Sequence, residues 1–147
     1  MEFGWINGFG AVIVVLMLIP NVVYAVKYKG EKNRCTNGVM NAIEQIGRYG
    51  SMILMWLPLF VWKFGFASEI AMLLYFAANG ILLAAYWIVY AMYFKKRNAK
   101  RAIILAILPS CIFLLSGILL RHWTLVAFAL LFAIGHLYVT YENARSD

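Results

Sequence analysis

Long apolar runs are the feature that most constrains how this sequence can fold. Five runs, each near the ~20 residues that an α-helix needs to cross ~30 Å of hydrocarbon, are separated by short polar segments. They cover about residues 8–26, 39–62, 68–94, 102–120 and 124–141. Lipid cannot satisfy backbone polar groups, so such runs are expected to be helical. The sequence predicts an all-α, polytopic helical membrane bundle with five transmembrane helices, forming a single domain over residues 1–147.

The overall composition is also that of a membrane protein. Of the 147 residues, 65% are hydrophobic and 13% are charged, and the mean hydropathy is +0.80. Soluble domains are nearer to half apolar and a quarter charged. Five spans leave no room in a chain of this length for a separate soluble domain.

The first run is expected to be a retained helix and not a cleaved signal peptide. Positive charges follow this run, whereas a signal peptide carries them before its apolar segment. Pro20 lies inside the run. Because proline cannot donate a backbone hydrogen bond, it predicts a kink or a loosened turn at that point.

The charged connections predict the orientation in the membrane. Segment 27–38 has four basic residues and one acid, segment 95–101 has five basic residues in seven, and the other two connections carry little net charge. With five spans, both basic segments fall on the same side. Lys and Arg collect in cytoplasmic loops, so we expect the N-terminus outside and the C-terminus in the cytoplasm. Four spans with one segment lying on the membrane surface would break this agreement.

The net charge of +7 indicates a lipid partner and not nucleic acid. The basic residues form two short clusters beside apolar runs, where they would meet the anionic headgroups of the lipid bilayer. We therefore expect a multi-pass protein of a cell membrane, of the bacterial cytoplasmic type. A bundle this small is expected to work as a homo-oligomer or with a membrane partner subunit.

Small residues indicate how the bundle packs. In the third run, alanines recur every seven residues at positions 77, 84 and 91, and Gly80 lies between them. Small residues let neighbouring helices approach closely in lipid. This pattern predicts that the third helix is the central one, and that Ser68 caps its start. Gly47 and Ser51, together with Ala129 and Ala133, suggest the same close packing for the second and fifth helices.

The sequence offers no metal, cofactor or redox site. Cys35 lies in a polar loop and Cys111 within an apolar run, so the two thiols are expected at different depths and unpaired. His122 and His136 fall at opposite ends of the fifth helix and cannot share an ion. Motifs of zinc hydrolases, serine hydrolases and phosphate-binding loops are not found.

One pair of charges stands out at the start of the second run. Glu44 and Arg48 are four residues apart with the acid first, the favourable order for a helical ion pair. They are predicted near the cytoplasmic edge of the hydrocarbon, where Arg48 can extend toward headgroups. Two interpretations stay open: an ion pair that fixes the depth of the helix, or a gate that lines a cavity open to the cytoplasm.

Other polar side chains are predicted at a similar depth. Lipid cannot satisfy them, so they should face one another or a wet cavity. His136 is either a satisfied interior histidine or, in a proton-coupled carrier, the titrating partner of Glu44. The predicted pocket comprises Asn21 and Tyr24 of the first helix, Asn41, Glu44, Gln45 and Arg48 of the second, Asn79 of the third, nearer mid-membrane, and His136 of the fifth.

Three classes of function fit these features. The first is a small transporter, or a subunit of one, with a polar pocket that faces the cytoplasm. The second is a non-catalytic membrane partner that regulates or scaffolds a larger complex. The third, with the least support, is a membrane-embedded enzyme that modifies a lipid and uses His136 and Glu44 as acid and base. Interior polar groups without a soluble recognition element favour the transporter.

Overall fold

The computed structural model describes residues 4–61 and 63–146, and its architecture is all-helical. Within these residues the chain forms five helices in succession. They are α1 (Gly8–Lys27), α2 (Gly38–Trp56), α3 (Glu69–Lys95), α4 (Ala99–Leu119) and α5 (Trp123–Arg145). The predicted all-α class and the five helical segments are confirmed.

A polar side chain caps the start of every helix. Each cap accepts a hydrogen bond from the backbone N–H three residues further along, which satisfies a donor that the helix itself cannot use. Ser68 caps α3 as predicted and accepts from Ala71. The other caps are Asn7, Asn37, Asn98 and His122.

Helix α2 ends six residues earlier than predicted because a proline follows its last turn. The residue before a proline is pushed out of the helical region, and Leu57, which precedes Pro58, has φ −106° and ψ 123°. The helix therefore ends at Trp56. The predicted end at Trp62 lies outside the described residues. In the connection to α3, Phe64 and Phe66 are buried.

The helices form a closed ring in the order α1, α2, α5, α4, α3, and neighbours along the chain run in opposite directions. Hydrogen bonds link separate parts of the chain at each end of this helical bundle. At one end the Asn7 backbone N–H donates to the Trp56 carbonyl oxygen over 2.8 Å. At the other end Asn143 donates to Asn33 over 3.0 Å. We call the second end the basic end, because segments 27–38 and 95–101 both lie there.

The most extensive helix interface joins α2 to α5, and glycines make it possible. A Cβ added at Gly135 would lie 2.5 Å from the backbone nitrogen of Glu44, and one added at Gly47 would lie 2.5 Å from the Cα of Phe132. These two backbones therefore pack directly on each other. Ser51 and Ala129 are fully buried, in agreement with the small-residue packing predicted for this helix pair.

The prediction that the third helix is central is wrong. Helix α5 lies between α2 and α4 in the largest interfaces, whereas α3 packs on α4 and more lightly on α1. The alanines at 77, 84 and 91 and Gly80 are exposed. Helix α3 buries a polar and aromatic face instead, made of Tyr75, Asn79, Tyr86, Tyr90 and Tyr93.

Four helices are long and apolar enough to cross a membrane: α1, α3, α4 and α5. Helix α2 is not among them. It is 19 residues long and carries a carboxylate, a guanidinium and two side-chain amides. The structure therefore supports a multi-pass helical membrane protein with four such helices and a fifth, more polar one.

Helix α1 continues through Pro20 because α3 replaces the hydrogen bond that the proline cannot make. Pro20 has no N–H for the carbonyl oxygen of Leu16, four residues earlier. The indole nitrogen of Trp87 donates to that oxygen over 3.0 Å. Proline is tolerated inside membrane helices when a neighbouring helix satisfies the freed carbonyl in this way.

Replacing Trp87 by phenylalanine should lower stability by about 1 kcal/mol, because the carbonyl of Leu16 loses its donor. The loss should be smaller in a Pro20→Ala background, where the alanine N–H can bond to Leu16. Thermal unfolding of the four proteins in detergent completes a double-mutant cycle. Equal losses in both backgrounds would show that Trp87 contributes through packing alone.

Gly135→Ala should destabilise the protein by about 1–3 kcal/mol, since the added methyl group meets the α2 backbone. Gly80→Ala is the matched control, because an added Cβ at Gly80 has nothing within 4 Å. The measurement is the melting temperature of each variant in the same detergent. A similar effect of both substitutions would contradict the close packing of α2 on α5.

Candidate functional site

Glu44, Arg48 and His136 form one ionic group between α2 and α5. The Nδ1 atom of His136 lies 2.6 Å from Oε1 of Glu44. The Arg48 guanidinium donates to the same carboxylate oxygen. The Glu44 side chain is 5% exposed, compared with 21% for His136 and 31% for Arg48. A buried carboxylate therefore meets two nitrogen groups, as a buried charge requires.

Local structure explains how these three side chains meet. Glu44 and Arg48 project from the same face of α2, since residues four apart are neighbours on a helix. Gly135 brings the α5 backbone against Glu44, which places the adjacent His136 within hydrogen-bonding distance. The His136 ring stacks on Phe132, with 4.7 Å between ring centres and 17° between planes. The imidazole is thus held in one orientation.

This geometry assigns the atoms that can exchange a proton. With Glu44 ionised, Nδ1 of His136 carries the hydrogen that it donates to the carboxylate. The Nε2 atom is then the one with a lone pair that can accept a further proton. Glu44 and Arg48 balance each other, so protonation of His136 changes the net charge of the group from zero to +1.

Asn21 belongs to a second cluster, between α1 and α3. Its side-chain nitrogen donates to the Tyr86 hydroxyl over 2.8 Å and to the Met17 carbonyl over 2.8 Å, and its oxygen accepts from the Tyr90 hydroxyl over 2.8 Å. The Arg48 guanidinium is close enough to Tyr86 to interact with it electrostatically. The ionic group and the Asn21 cluster are therefore within electrostatic range of each other.

Asn79 belongs to neither cluster. It is 1% exposed and lies between α3 and α4. Its side-chain nitrogen donates to the Tyr75 carbonyl over 2.9 Å and approaches the Ser116 hydroxyl at 3.2 Å. The contact with Ser116 joins α3 to α4, whereas the bond to Tyr75 lies within α3.

Asn41 and Gln45 lie apart from the ionic group. The Asn41 side chain donates to the Cys35 carbonyl over 3.0 Å and accepts from Asn33 over 2.8 Å, so it fixes the connection between α1 and α2. Gln45 is exposed on the outer side of α2. The eight predicted side chains are therefore distributed over several places in the ring.

A cavity of about 750 Å³ opens at the basic end, bounded by α1, α3, α4, α5 and the α1–α2 connection. Tyr24 lines it. The ionic group formed by Glu44, Arg48 and His136 is not among its lining residues. The polar and charged side chains in its wall are Tyr24, Tyr28, Lys29, Glu31, Lys32, Asn33, Arg34, Tyr93, Arg97, Asn98, Thr140 and Asn143.

A second ion pair, Glu31 with Arg97, lies in the wall of this cavity. This pair was not predicted from the sequence. The guanidinium is 2.5 Å from Oε1 of Glu31, and the Tyr24 hydroxyl donates to Oε2 over 2.6 Å. Arg97 also approaches the hydroxyl oxygens of Tyr24 at 3.2 Å and Tyr93 at 3.4 Å. The signal was present, because Glu31 is the single acid among four bases in segment 27–38.

The charges of this pair stabilise each other. Burial alone would raise the pKa of the Glu31 carboxyl, but hydrogen bonds from Tyr24 and Arg97 hold it below its usual value. The hydrogen bond to Glu31 and that to Tyr93 raise the pKa of Arg97 above its ordinary value. Both groups therefore stay charged throughout the physiological range.

Comparisons with known proteins do not place the chain in a family. No family model matches the sequence, and no curated protein or solved structure is significantly similar to it. Among residues 4–61 and 63–146, no three His, Cys, Asp or Glu side chains lie close enough together to hold a metal ion. The clusters of polar side chains described above are therefore the basis of the proposed function.

His122 has a structural role at the end opposite the basic one. Its Nδ1 accepts from the Leu125 backbone N–H over 3.2 Å, and its Nε2 lies 3.4 Å from the Leu57 carbonyl. A neutral imidazole with its hydrogen on Nε2 can make both contacts, because Nδ1 then accepts and Nε2 donates. Burial lowers the pKa of His122 below its ordinary value, which preserves the neutral form that caps α5.

Stability should therefore fall as the pH is lowered through about 6.5, where the unfolded histidine takes up a proton before the folded one does. His122→Asn keeps a capping side chain without a titrating group. This variant should lose less thermal stability between pH 7 and pH 5 than the wild type. Parallel melting curves across that range would contradict the assignment.

Proposed function

We propose that this chain is a small multi-pass membrane transporter, or a subunit of one, in which Glu44, Arg48 and His136 respond to protons. The observation that carries the proposal is the 2.6 Å contact between Glu44 and His136 across two helices. Ionisable side chains inside a membrane bundle are costly and commonly mark proton relays. A structural ion pair would need only one basic side chain beside the carboxylate, whereas Glu44 contacts two, Arg48 and His136.

All five helices are proposed to cross the bilayer, with the N-terminus outside and the C-terminus in the cytoplasm of a cell membrane. At ~1.5 Å per residue, the 19 residues of α2 span roughly 28 Å, close to the ~30 Å of the hydrocarbon. The alternating helix directions support this, because they bring both basic segments to one end, as cytoplasmic loops require.

Protonation of His136 is proposed to strengthen the contact between α2 and α5. The imidazolium and the Arg48 guanidinium would share one carboxylate oxygen, and each would lie nearer to that oxygen than to the other cation. The attraction of the imidazolium to Glu44, at 2.6 Å, would therefore exceed its repulsion from Arg48, because Coulomb energy falls with distance. Gain or loss of this proton can thus shift the balance between two arrangements of these helices.

A row of hydroxyl groups and one amide supports a path from the cavity to the ionic group. The rings of Tyr24, in the cavity wall, and Tyr90 are 6.3 Å apart. Tyr90 and Tyr86 both bond to Asn21, and Tyr86 lies within electrostatic range of Arg48. We propose that substrate enters at the basic end and that this row connects it to the proton-responsive group. Asn79 serves packing in this scheme.

Glu44→Gln and His136→Ala should each abolish proton-coupled flux while leaving the protein folded. The measurement is the internal pH of proteoliposomes that contain a pH-sensitive dye, after gradients of small organic anions and cations are applied. Gln45→Ala is the matched control, because Gln45 is adjacent to Glu44 but exposed. Size-exclusion profiles of the variants verify folding.

Unchanged flux in both variants would exclude the ionic group from transport.

The second candidate, a non-catalytic membrane partner, draws support from α3, whose exposed face carries small residues at 77, 80, 84 and 91. That function predicts no flux in any variant and a stable complex with another membrane chain or with a second copy.

A further inference from the structure

The cavity at the basic end has the charge and the shape of a binding site for an organic anion. Its wall contains four basic side chains, Lys29, Lys32, Arg34 and Arg97, and one acid, Glu31. Asn98, which caps α4, and Ala99, the first residue of that helix, also line it. The positive end of a helix dipole there favours a negative ligand.

We propose that this cavity binds an organic anion, a carboxylate or phosphate attached to a ring. Arg97 would be the anion-binding side chain, and the Glu31 carboxylate would occupy the anion's position while the cavity is empty. As a substrate assignment the inference rests on the proposed transport, but binding itself requires no flux. The two can therefore fail separately.

Arg97 is already oriented for such a ligand. Its guanidinium lies 4.8 Å from the ring centre of Tyr28, 5.6 Å from that of Tyr93 and 5.9 Å from that of Tyr24. Cation–π contacts of this kind keep a guanidinium in place. Tyr24 lies on α1, Tyr28 caps the end of that helix and Tyr93 lies on α3. The helices set the backbone positions of these three rings, so Arg97 would stay fixed when the carboxylate leaves.

Glu31 is free to leave because it lies in a connection and not on a helix. The turn at Gly30 has φ +94°, and Glu31 donates its backbone N–H to Tyr28 over 3.1 Å. Further along, Arg34 anchors the connection to α5 through bonds to Asn143 and Ser146, both 2.7 Å. The Glu31 side chain, 35% exposed, can rotate outward without breaking these anchors.

The space fits a small aromatic molecule. Its volume of about 750 Å³ is within the ~300–1,000 Å³ of small-molecule sites. Alanines at 25, 99, 102 and 144 leave room in the wall, and the tyrosine rings offer flat apolar surfaces. Thr140 of α5 adds a hydroxyl group to the wall.

An organic cation is the competing ligand class, since three tyrosines and a carboxylate also form an aromatic cage of the kind that binds ammonium groups. Arg97 would then be the side chain that the ligand displaces. The excess of basic residues in the wall opposes a cation. The two classes also predict opposite effects of removing Glu31, which makes the choice testable.

The test is isothermal titration calorimetry of the full-length chain in neutral detergent with phenyl phosphate, benzoate and benzyltrimethylammonium. Glu31→Gln should bind the anions several-fold more tightly, because the competing carboxylate is gone. Arg97→Gln should bind them about tenfold more weakly, through loss of charge-assisted bonds. Lys63→Gln, which removes a basic residue from the connection at the other end, is the control and should bind as the wild type does.

No binding of either anion by folded wild-type protein would overturn the proposal, as would binding of benzyltrimethylammonium that Glu31→Gln abolishes. Nanodiscs identify the source of the ligand. If phosphatidylglycerol weakens phenyl phosphate binding relative to phosphatidylcholine, the anion is a lipid headgroup. Equal affinity in both lipids assigns a soluble anion.

Discussion

The direct backbone contact between α2 and α5 is the constraint on which the rest of the structure depends. Gly47 and Gly135 bring the two helices together closely enough for Glu44 to reach His136. Helix α2 is too polar to count among the four apolar helices, so this contact also explains how it is held in the bundle. The Glu44 carboxylate of α2 is paired with His136 of α5 and with Arg48, one turn further along α2. It is therefore buried between the two helices.

Much of the fold was predictable because it follows from local patterns. Apolar length gave the five helices, and Ser68 correctly marked the start of α3. Proline set the end of α2, but only the structure shows that the helix stops directly before Pro58. The interior face of α3 was assigned wrongly, because small residues can face lipid as readily as a neighbouring helix. Of the buried tyrosines of α3, Tyr86 and Tyr90 bond to Asn21 of α1, a partner that the sequence pattern does not identify.

The candidate site was predictable only in part. Glu44 and Arg48 are near in sequence and could be paired from helical spacing. Their contact with His136 spans 92 residues and depends on which helices adjoin. The pairing of Glu31 with Arg97 depends on how two connections meet above the helix ends, which no periodicity encodes. Long-range ionic contacts were therefore beyond the reach of sequence patterns here.

The hydrogen bond from Trp87 to Leu16 has a mechanical consequence. A shift of α1 along α3 by one helical turn would leave a carbonyl without a donor, so this bond fixes the register of the two helices. Asn21 adds to it through Tyr86, and at the far side from the cavity Asn7 bonds to the end of α2. Helix α1 makes the smallest interfaces of the ring, with α2 and α3. It is therefore held along its axis by polar bonds and not by extensive packing.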